Sequence, residues 1–581
     1  MKTPNAPTAA VTGARLAPRA TTLLLALGIY LAGFTATATA APSDLDPGFG
    51  TGGRVIIDQV DMERWDRVVP LPNGDVLVSG RTGYHTNTQN HVVRLNSKGE
   101  SVPSFGNQGQ VTLGCNIRDL FALPGGKILA VGESRDLVRI LSNGSLDRSF
   151  GGDGTQGGSI DGFTGYGSAA LDAEGRIVIG CGATGGGNVG VLRFDQDGYL
   201  DPTFSGDGMA KAYVSANANP VTTAVQQDGK IVIAGYIYSA GGNNNLWVCR
   251  FLADGNLDSS FASAGNFVLD LHGGPDEATS ICIRSDGKIL VAGYTRTQPV
   301  TNDENDRSLF VGLDQNGALD NSFGSGGIIE VDVSNAWDQI SAVTLMPDGR
   351  IIAGGSAVVG GEYHYTAMRL MPNGVPDSTF GSGGTVVIPN ADTIVFAMAY
   401  DIALDASGGI LLIGGGSSGV GHAGMLIRLQ GDPDADGDGI VDASETGTGI
   451  YVSPFNTGTN PNNQDTDGDG LNDGVEAYHY LTNPLVADTD GDGFLDGYEL
   501  ATGKSPTNPL DKPALVAEAR TAIEFTFPSA VGKTYRIEDS PDLSAWATVE
   551  SGIAGNGGVI QRFYTTRNQP KRFFRVEEDS P

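Results

Sequence analysis

The chain has 581 residues, 86 of them glycine, and a formal net charge of −31 at pH 7. A domain usually holds about 100–200 residues, so this length excludes a single conventional core but is compatible with a fold built from repeats. The glycine content and an aromatic share of 7% favour short strands and tight turns over long helices. The negative charge argues against a nucleic-acid surface, which needs clustered Lys and Arg.

Residues 1–40 are predicted to form an export signal peptide. Two arginines precede an apolar run at 23–34, and Ala38 and Ala40 supply an A-x-A site with cleavage expected before Ala41. An uncleaved signal anchor is the alternative, because Ala and Thr could extend the apolar run. We therefore expect a secreted or cell-surface protein with no transmembrane segment after cleavage.

The cysteines carry no metal-binding or redox spacing. All four lie in strand-like apolar surroundings, at Cys115, Cys181, Cys249 and Cys282. This pattern favours buried thiols that pack as small apolar residues. A single disulfide between Cys249 and Cys282 stays open for an exported chain.

Two phrases recur seven times each between residues 41 and 431. The first, a glycine before an apolar strand, begins at Gly74, Gly126, Gly175, Gly229, Gly287, Gly349 and Gly409. The second, close to L-D-x-x-F, ends at Phe49, Phe105, Phe150, Phe204, Phe261, Phe323 and Phe380. Spacings of 45 to 62 residues are typical of propeller blades or solenoid arrays.

The first repeat unit is predicted to contain four antiparallel strands. Their positions are Asp66–Leu71, Val76–Gly80, His91–Leu95 and Gln110–Leu113, and Asn-Gly marks the first turn. Four short strands per unit indicate a propeller blade. The chain begins with the end of a unit and closes its repeats on a third strand, Met425–Leu429. The N-terminal fragment is therefore predicted to supply the missing fourth strand and to close a seven-bladed ring.

An arginine in the third strand recurs with an aspartate eight residues later. The pairs are Arg139/Asp147, Arg193/Asp201, Arg250/Asp258 and Arg369/Asp377. We interpret them as ion pairs that hold a strand turn, since a binding site rarely needs one copy per blade. The same logic predicts that Arg428 meets Asp46 across the closure. Both phrases resemble the delta-sixty repeat of bacterial secreted proteins, which implies a propeller and no particular activity.

Three segments between residues 434 and 499 have the spacing of calcium-binding loops. Each places acids at positions 1, 3, 5, 9 and 12 and glycine at position 6. The candidate ligands are Asp434, Asp436, Asp438, Asp442, Glu445, Asp465, Asp467, Asp469, Asp473, Glu476, Asp488, Asp490, Asp492, Asp496 and Glu499. Ca²⁺ takes about 6–8 oxygens, so the loop must curl until alternate side chains point inward, and glycine permits the sharp turn. A solvated acidic linker is the alternative.

Residues 432–512 as a whole are strongly acidic. Between Asp432 and Asp511, 17 Asp and Glu face one Lys, which accounts for −16 of the net charge. Repeated D-T-D-G-D-G phrases separated by T-N-P resemble the thrombospondin type 3 repeat in its bacterial form. The resemblance implies a semi-rigid arm wrapped around Ca²⁺, with the listed acids as ligands. The first loop departs from the pattern, having Ala435 in place of Thr.

Residues 513–581 are predicted to form a small β-sandwich. Five alternating strands are expected at Ala522–Phe527, Thr534–Glu538, Ala547–Glu550, Val559–Tyr564 and Arg572–Val576. Tyr535-Arg-Ile-Glu538, Asp542-Leu543, Trp546 and the closing Arg572–Val576 resemble the C-terminal module of secreted planctomycete–verrucomicrobial proteins. The resemblance implies a surface or sorting module.

The sequence lacks the catalytic motif H-E-x-x-H and a P-loop. We therefore predict a monomeric binding or adhesion protein rather than an enzyme, with a glycan or protein ligand on the loop face of the propeller. The alternative is a polysaccharide-active hydrolase or lyase, since paired carboxylates have no sequence spacing of their own. Five acids are expected near the channel mouth on that face: Asp66, Asp119, Glu277, Asp338 and Asp401.

Overall fold

The computed structural model describes most of the chain from Ala41 onward. The described residues are 41–57, 62–82, 89–157, 160–164, 167–184, 188–214, 217–238, 243–297, 306–334, 336–391, 394–418, 421–453, 456–513, 518–519, 524–564 and 573–579. The predicted signal peptide lies outside them. No helix of the described residues is long and apolar enough to cross a membrane.

The regular elements described between residues 54 and 429 are almost all short strands. In chain order these are β1 (Arg54–Ile57), β2 (Met62–Pro70), β3 (Val76–Thr82), β4 (Gln89–Leu95), β5 (Gln110–Leu113), β6 (Ile117–Leu123), β7 (Lys127–Gly132), β8 (Asp136–Ile140), β9 (Thr155–Gly157), β10 (Phe163–Thr164), β11 (Ala169–Leu171), β12 (Ile177–Ala183), β13 (Asn188–Phe194), β14 (Met209–Tyr213) and β15 (Ala218–Val225). They continue as β16 (Ile231–Tyr238), β17 (Asn244–Phe251), β18 (Asn266–Leu269), β19 (Asp276–Ile283), β20 (Ile289–Arg296), β21 (Asp306–Leu313), β22 (Ile328–Val331), β23 (Asp338–Leu345), β24 (Ile351–Val359), β25 (Glu362–Leu370), β26 (Thr385–Ile388), β27 (Ile394–Leu404), β28 (Ile410–Ser418) and β29 (Gly421–Leu429). A 3-10 turn at Pro124–Gly126 precedes β7.

These strands form successive antiparallel sheets, as propeller blades do. Within the described residues six sheets have four strands, and the sheet of β10 to β14 has five. Most sheets use strands that are consecutive in the chain. One does not, because β1 pairs with β29 so that Arg54 lies opposite Ile427. The predicted all-β propeller class is confirmed.

The first strands of neighbouring sheets lie side by side around a common axis. Thr279 Oγ1 donates a hydrogen bond to the carbonyl of Ile340 at 2.7 Å, and Ser341 Oγ donates to the carbonyl of Ala399 at 2.7 Å. Asp401 accepts a hydrogen bond from the backbone N–H of Val68 at 3.0 Å, 333 residues away in the chain. These contacts hold the first strands of neighbouring sheets against one another.

The recurring arginine and aspartate side chains form the predicted pairs. In each of the four, arginine Nε lies 2.8 Å from the aspartate carboxylate eight residues later. The same guanidinium packs over the phenylalanine ring of the L-D-x-x-F phrase. Arg139 Cζ, for example, lies 4.6 Å from the centroid of the Phe150 ring. Arg428 binds Asp46 at 2.7 Å, which confirms the predicted contact between the two ends of the repeat region.

Each blade is held to its neighbour by buried apolar side chains. One cluster contains Leu129, Phe150, Ile179 and Phe194, from two successive sheets. All four cysteines are free, so the disulfide considered between Cys249 and Cys282 is not formed. Burial raises the pKa of the Cys181 thiol to about 12, which keeps it protonated and unreactive.

The chain after β29 has little regular structure until the C-terminal sheets. Residues 432–512 contain α1 (Asp473–Val475), which continues into a π-helical turn at Glu476–Tyr480, and α2 (Asp496–Ala501). Two three-stranded sheets follow: β30 (Glu518–Ala519), β31 (Glu524–Pro528) and β34 (Val559–Phe563), then β32 (Thr534–Ser540), β33 (Ala547–Ala554) and β35 (Phe573–Glu578). Phe525, Phe527, Tyr535 and Ile537 pack between them.

Candidate calcium centre

The three acidic segments fold as tight loops around their own carboxylates. The position-1 aspartate of each loop accepts hydrogen bonds from the backbone N–H groups at positions 4 and 6. For Asp465 these come from Gly468 at 2.7 Å and Gly470 at 3.1 Å. The glycine at position 6 has a φ of 96° in Gly439, 99° in Gly470 and 97° in Gly493. This left-handed conformation strains any residue with a Cβ, which explains the invariant glycine among the three loops.

The residue at position 7, which follows that glycine, stabilises each loop. Its backbone N–H donates to the position-5 carboxylate, as Ile440 does to Asp438 at 2.7 Å. Its side chain turns inward, so that Ile440 and Phe494 are buried and Leu471 is half-buried. One apolar side chain per loop thus takes the place of a conventional core.

The first three acids of each loop converge. One carboxylate oxygen from each lies within 4.8 Å of the other two in three groups: Asp434/Asp436/Asp438, Asp465/Asp467/Asp469 and Asp488/Asp490/Asp492. Several of these oxygens are buried and have no hydrogen-bond partner among the described residues. They include both oxygens of Asp467 and the Oδ2 atoms of Asp436, Asp438, Asp490 and Asp492. Buried acceptors without a donor are costly unless a cation coordinates them.

Some acids at position 9 lie close to acids of the preceding loop. Asp473, at position 9 of the second loop, joins Asp438 and Glu445 of the first loop within 4.8 Å. Asp496 of the third loop likewise joins Asp469 and Glu476 of the second. Asp473 and Asp496 therefore contact acids of the preceding loop, because α1 and α2 begin against that loop. Their role as ligands stays a prediction.

The two oxygens of a position-9 aspartate have different contacts. Asp496 Oδ1 accepts a hydrogen bond from the Thr489 N–H of its own loop at 2.8 Å, whereas Oδ2 is buried and has no hydrogen-bond partner among the described residues. In the first loop, Asp442 Oδ1 likewise accepts a hydrogen bond from the Ala435 N–H at 2.7 Å. Neither Asp442 nor Glu499 lies in a group of three acids within the described chain.

Crowding of carboxylates makes the loops electrostatically unfavourable on their own. Burial, followed by the negative charges of Asp467 and Asp469, raises the pKa of Glu476 to about 9. Burial, followed by Asp438 and Asp436, raises the pKa of Glu445 to about 8. Such shifts measure how strongly these sites disfavour uncompensated negative charge. The oxygen-only donor sets fit a hard divalent cation of the size of Ca²⁺.

The arm is fixed to the propeller by a buried ion network just before the first loop. Asp432 accepts two hydrogen bonds from Arg369 Nη1, at 2.9 and 3.0 Å, and lies 2.6 Å from Arg350 Nη1. Arg369 is fully buried and also binds Asp377. The sequence predicts the Arg369–Asp377 ion pair. It does not predict that Asp432 also binds Arg369, because the two residues are 63 positions apart in the chain.

The acids predicted at the channel mouth do not form an open ring. Asp66 binds Arg64 at 2.6 Å, and Asp119 binds Arg67 at 3.3 Å. Asp338 accepts hydrogen bonds from the nearby Ser334 hydroxyl and backbone, and Glu277 accepts one from Asn244. Asp401 contacts Val68 as described above. Local turns and arginines therefore occupy oxygens of these acids.

Sequence comparisons match two parts of the chain to families. A β-propeller domain of unknown function, DUF5122, matches residues 123–150, 173–204, 226–261, 284–323 and 347–380. The bacterial TSP3 repeat matches 465–487 and 488–512, which are the second and third acidic loops. The delta-sixty resemblance and that of the C-terminal module stay predictions. No curated protein matches the chain in sequence.

Comparison with solved structures matches the chain, at TM-scores below 0.5, to a polysaccharide lyase and to the protein Sqt1. The lyase Uly1 is 10% identical with a TM-score of 0.38, and the match covers 64% of this chain and 92% of the lyase. Sqt1 from Chaetomium thermophilum, 11% identical with a TM-score of 0.36, matches over 64% of this chain and 99% of its own. The structure of Chaetomium thermophilum Sqt1 bound to the N-terminus of ribosomal protein L10 is 10% identical with a TM-score of 0.33. That match covers 62% of this chain and 80% of Sqt1.

The prediction that the chain is not an enzyme is corrected by this comparison. A polysaccharide lyase is among the structures that the chain resembles, so the lack of familiar motifs does not establish a protein without catalytic activity. At this identity and TM-score the resemblance carries no argument for the lyase reaction or for the Sqt1 partner in this chain.

Proposed function

We propose that the chain is a secreted or cell-surface calcium-binding propeller protein whose acidic arm holds Ca²⁺ ions. The observation that carries the proposal is the set of buried, convergent carboxylate oxygens without hydrogen-bond donors in three successive loops. The bacterial TSP3 match over two of those loops supports it independently. Each ion would neutralise charge that otherwise makes the arm repel itself.

The fifteen predicted acids would act as a chain of connected sites. The acids at positions 1, 3 and 5 of each loop form the primary sets, and Glu445 and Glu476 supply the oxygens that close the first two. Asp473 and Asp496 would then link each ion site to the following repeat, because they contact the preceding loop. Calcium binding in this arrangement orders the arm from one repeat to the next.

The propeller is proposed to be a closed ring of seven blades. The pairing of β1 with β29 and the ion pair between Arg428 and Asp46 support the closure. A closed ring leaves no unpaired sheet edge, so that it gives a rigid platform for loops on one face. We propose that this face binds a glycan or protein ligand and that the chain acts in binding or adhesion as a monomer.

The proposed extracellular location rests on the signal peptide predicted at 1–40 and on the TSP3 match. The two packed C-terminal sheets are compatible with the β-sandwich module inferred from sequence. We propose that this module attaches or sorts the protein at the surface.

Calorimetric titration of Ca²⁺ into the chain from Ala41 onward tests the metal proposal. We expect saturable binding of at least three ions. Glu476→Gln should weaken one site about tenfold or more, a change of about 1.4 kcal/mol, because it removes a charged ligand. Glu362→Gln is the matched control, since Glu362 is exposed at the end of a propeller hairpin. No saturable binding, or equal effects of both variants, would refute the calcium arm.

A binding role requires a separate experiment. The same protein, labelled and kept in calcium buffer, should bind a subset of glycans on an array or a component of bacterial cell surfaces. The absence of any partner in both assays would contradict the adhesion proposal without affecting the metal proposal.

A further inference from the structure

A small polar cavity lies at the end of the central channel where the first strands begin. Its volume is about 230 Å³, which corresponds to about eight water molecules at roughly 30 Å³ each. Arg64 and Arg67 on β2, Arg118 on β6, Thr279 on β19 and Ser341 on β23 contribute to the wall. Strands from opposite sides of the ring therefore meet around a single cavity.

The wall is positively charged and almost entirely polar. Four arginines line it, Arg64, Arg67, Arg81 and Arg118, against two acids, Asp66 and Glu133. Of the twelve lining residues only Ile117 and Tyr400 offer much apolar surface. In a chain with a net charge of −31, long-range electrostatics repel anions, so this local excess of guanidinium groups must act at short range. Such a wall suits a hydroxyl-rich anion and not an apolar ligand.

Two of these arginines already have carboxylate partners. Arg64 binds Asp66 at 2.6 Å and lies over the Tyr400 ring at 5.1 Å from its centroid. Arg67 binds Asp119 at 3.3 Å through both Nε and Nη2. These contacts fix the two guanidinium groups in place, so that they form a preorganised part of the wall.

The contacts of Arg118 differ from those of Arg64 and Arg67. Its Nη2 donates to the carbonyl of Val221 at 3.2 Å, and its Nε is buried without a hydrogen-bond partner. Among the described residues no carboxylate lies within ion-pair distance of it. Burial, and then the like charge of Arg67, lowers the pKa of Arg118. An arginine in this environment gains most from an added oxyanion, since a guanidinium presents a fork of donors that matches a carboxylate or sulfate.

We propose that the channel-mouth cavity binds the carboxylate or sulfate group of an acidic sugar, with Arg118 as the main anchor. Arg67, which Asp119 holds in place, lines the cavity beside it. The oxygens of Thr279 and Ser341, whose protons are donated to backbone carbonyls, accept hydrogen bonds from sugar hydroxyl groups. The inference rests on the binding role proposed above and names its ligand class, but it does not depend on calcium in the arm.

Titration of the chain from Ala41 onward, in calcium buffer, tests the site with three monosaccharides. Glucuronate and glucose 6-sulfate distinguish a carboxylate from a sulfate ligand, and glucose is the neutral comparison. We expect at least one anionic sugar to bind and glucose not to bind. Arg118→Gln should weaken that binding about tenfold or more, because it removes the charged donor that pairs with the anion.

Two further variants separate a site effect from a folding effect. Arg148→Gln removes an exposed propeller arginine and should leave sugar binding unchanged. Arg118→Lys keeps the charge but loses the fork of donors, so it should bind with intermediate affinity and an unchanged melting temperature. Binding of neither anion, equal binding of glucose, or full binding by Arg118→Gln would overturn the inference. Calcium titration of the same samples shows whether the arm proposal survives that outcome.

Discussion

The joint between the propeller and the calcium arm depends on one carboxylate, and Asp432→Asn tests it. Asp432 accepts hydrogen bonds from Arg369 and contacts Arg350, and all three side chains are no more than about one-tenth exposed. The substitution keeps the shape of the side chain and removes its charge. Arg369 retains Asp377, so the change weakens the network without leaving the arginine alone.

The magnitude follows from the contacts that are lost. Two charge-assisted interactions at about 1.5–3 kcal/mol each, partly offset by the remaining amide oxygen, give an expected loss of about 3 kcal/mol. Unfolding entropy of about 2.1 cal/mol/K per residue over some 390 propeller residues converts this loss into a Tm decrease of about 4 °C. The decrease should be the same in calcium and in chelator, because Asp432 is outside the acid groups of the loops.

Thermal unfolding followed by circular dichroism measures this effect. Asp197→Asn is the matched control, since Asp197 is 67% exposed and lies 3.8 Å from Arg139. Exposed pairs of this kind contribute about 0–1 kcal/mol, so its Tm should stay within about 1 °C. A Tm of Asp432→Asn equal to that of the control would refute the view that the buried network joins the two parts.

Three other changes give distinct expectations. Gly470→Ala places a Cβ on a residue with φ of 99°, so it should lower the stability of the loop by about 1–3 kcal/mol and weaken calcium binding by the second loop in calorimetry. Chelation should increase hydrogen exchange across 434–499, because carboxylates such as Glu476 then repel their neighbours; unchanged exchange would contradict this. The Ser149 hydroxyl, with Lys127 and against the effect of burial, holds the pKa of Asp147 below its ordinary value. This stabilisation is present above the unfolded-state pKa near 4 and is lost as pH falls below it, so Asp147→Asn should flatten the dependence of Tm on pH in that range.

Local sequence patterns predict the repeating parts of the fold. The first blade was expected at four strands that begin near Asp66, Val76, His91 and Gln110, and β2 to β5 include all four positions. Turn glycines, alternating apolar residues and the L-D-x-x-F phrase determine this structure within one unit. The pairing of Arg428 with Asp46 was also predictable, because the same pair occurs within other blades.

Contacts between units were not predictable in the same way. Asp473 has the position of a ligand for its own loop, but the packing of α1 places it against Asp438 and Glu445 of the preceding loop. The channel-mouth arginines have no sequence spacing either, since Arg67 and Arg118 come from different blades and meet only when the first strands converge. The sequence therefore indicates the carboxylates but not the arginines that bind two of them.

Anomalous diffraction from crystals grown in calcium tests the central claim most directly. We predict peaks enclosed by the position-1, position-3 and position-5 acids of each loop, with Asp473 and Asp496 contacting the ions of the preceding loop. Calcium in the crystal solution with no peak among these carboxylates would contradict the proposed calcium arm.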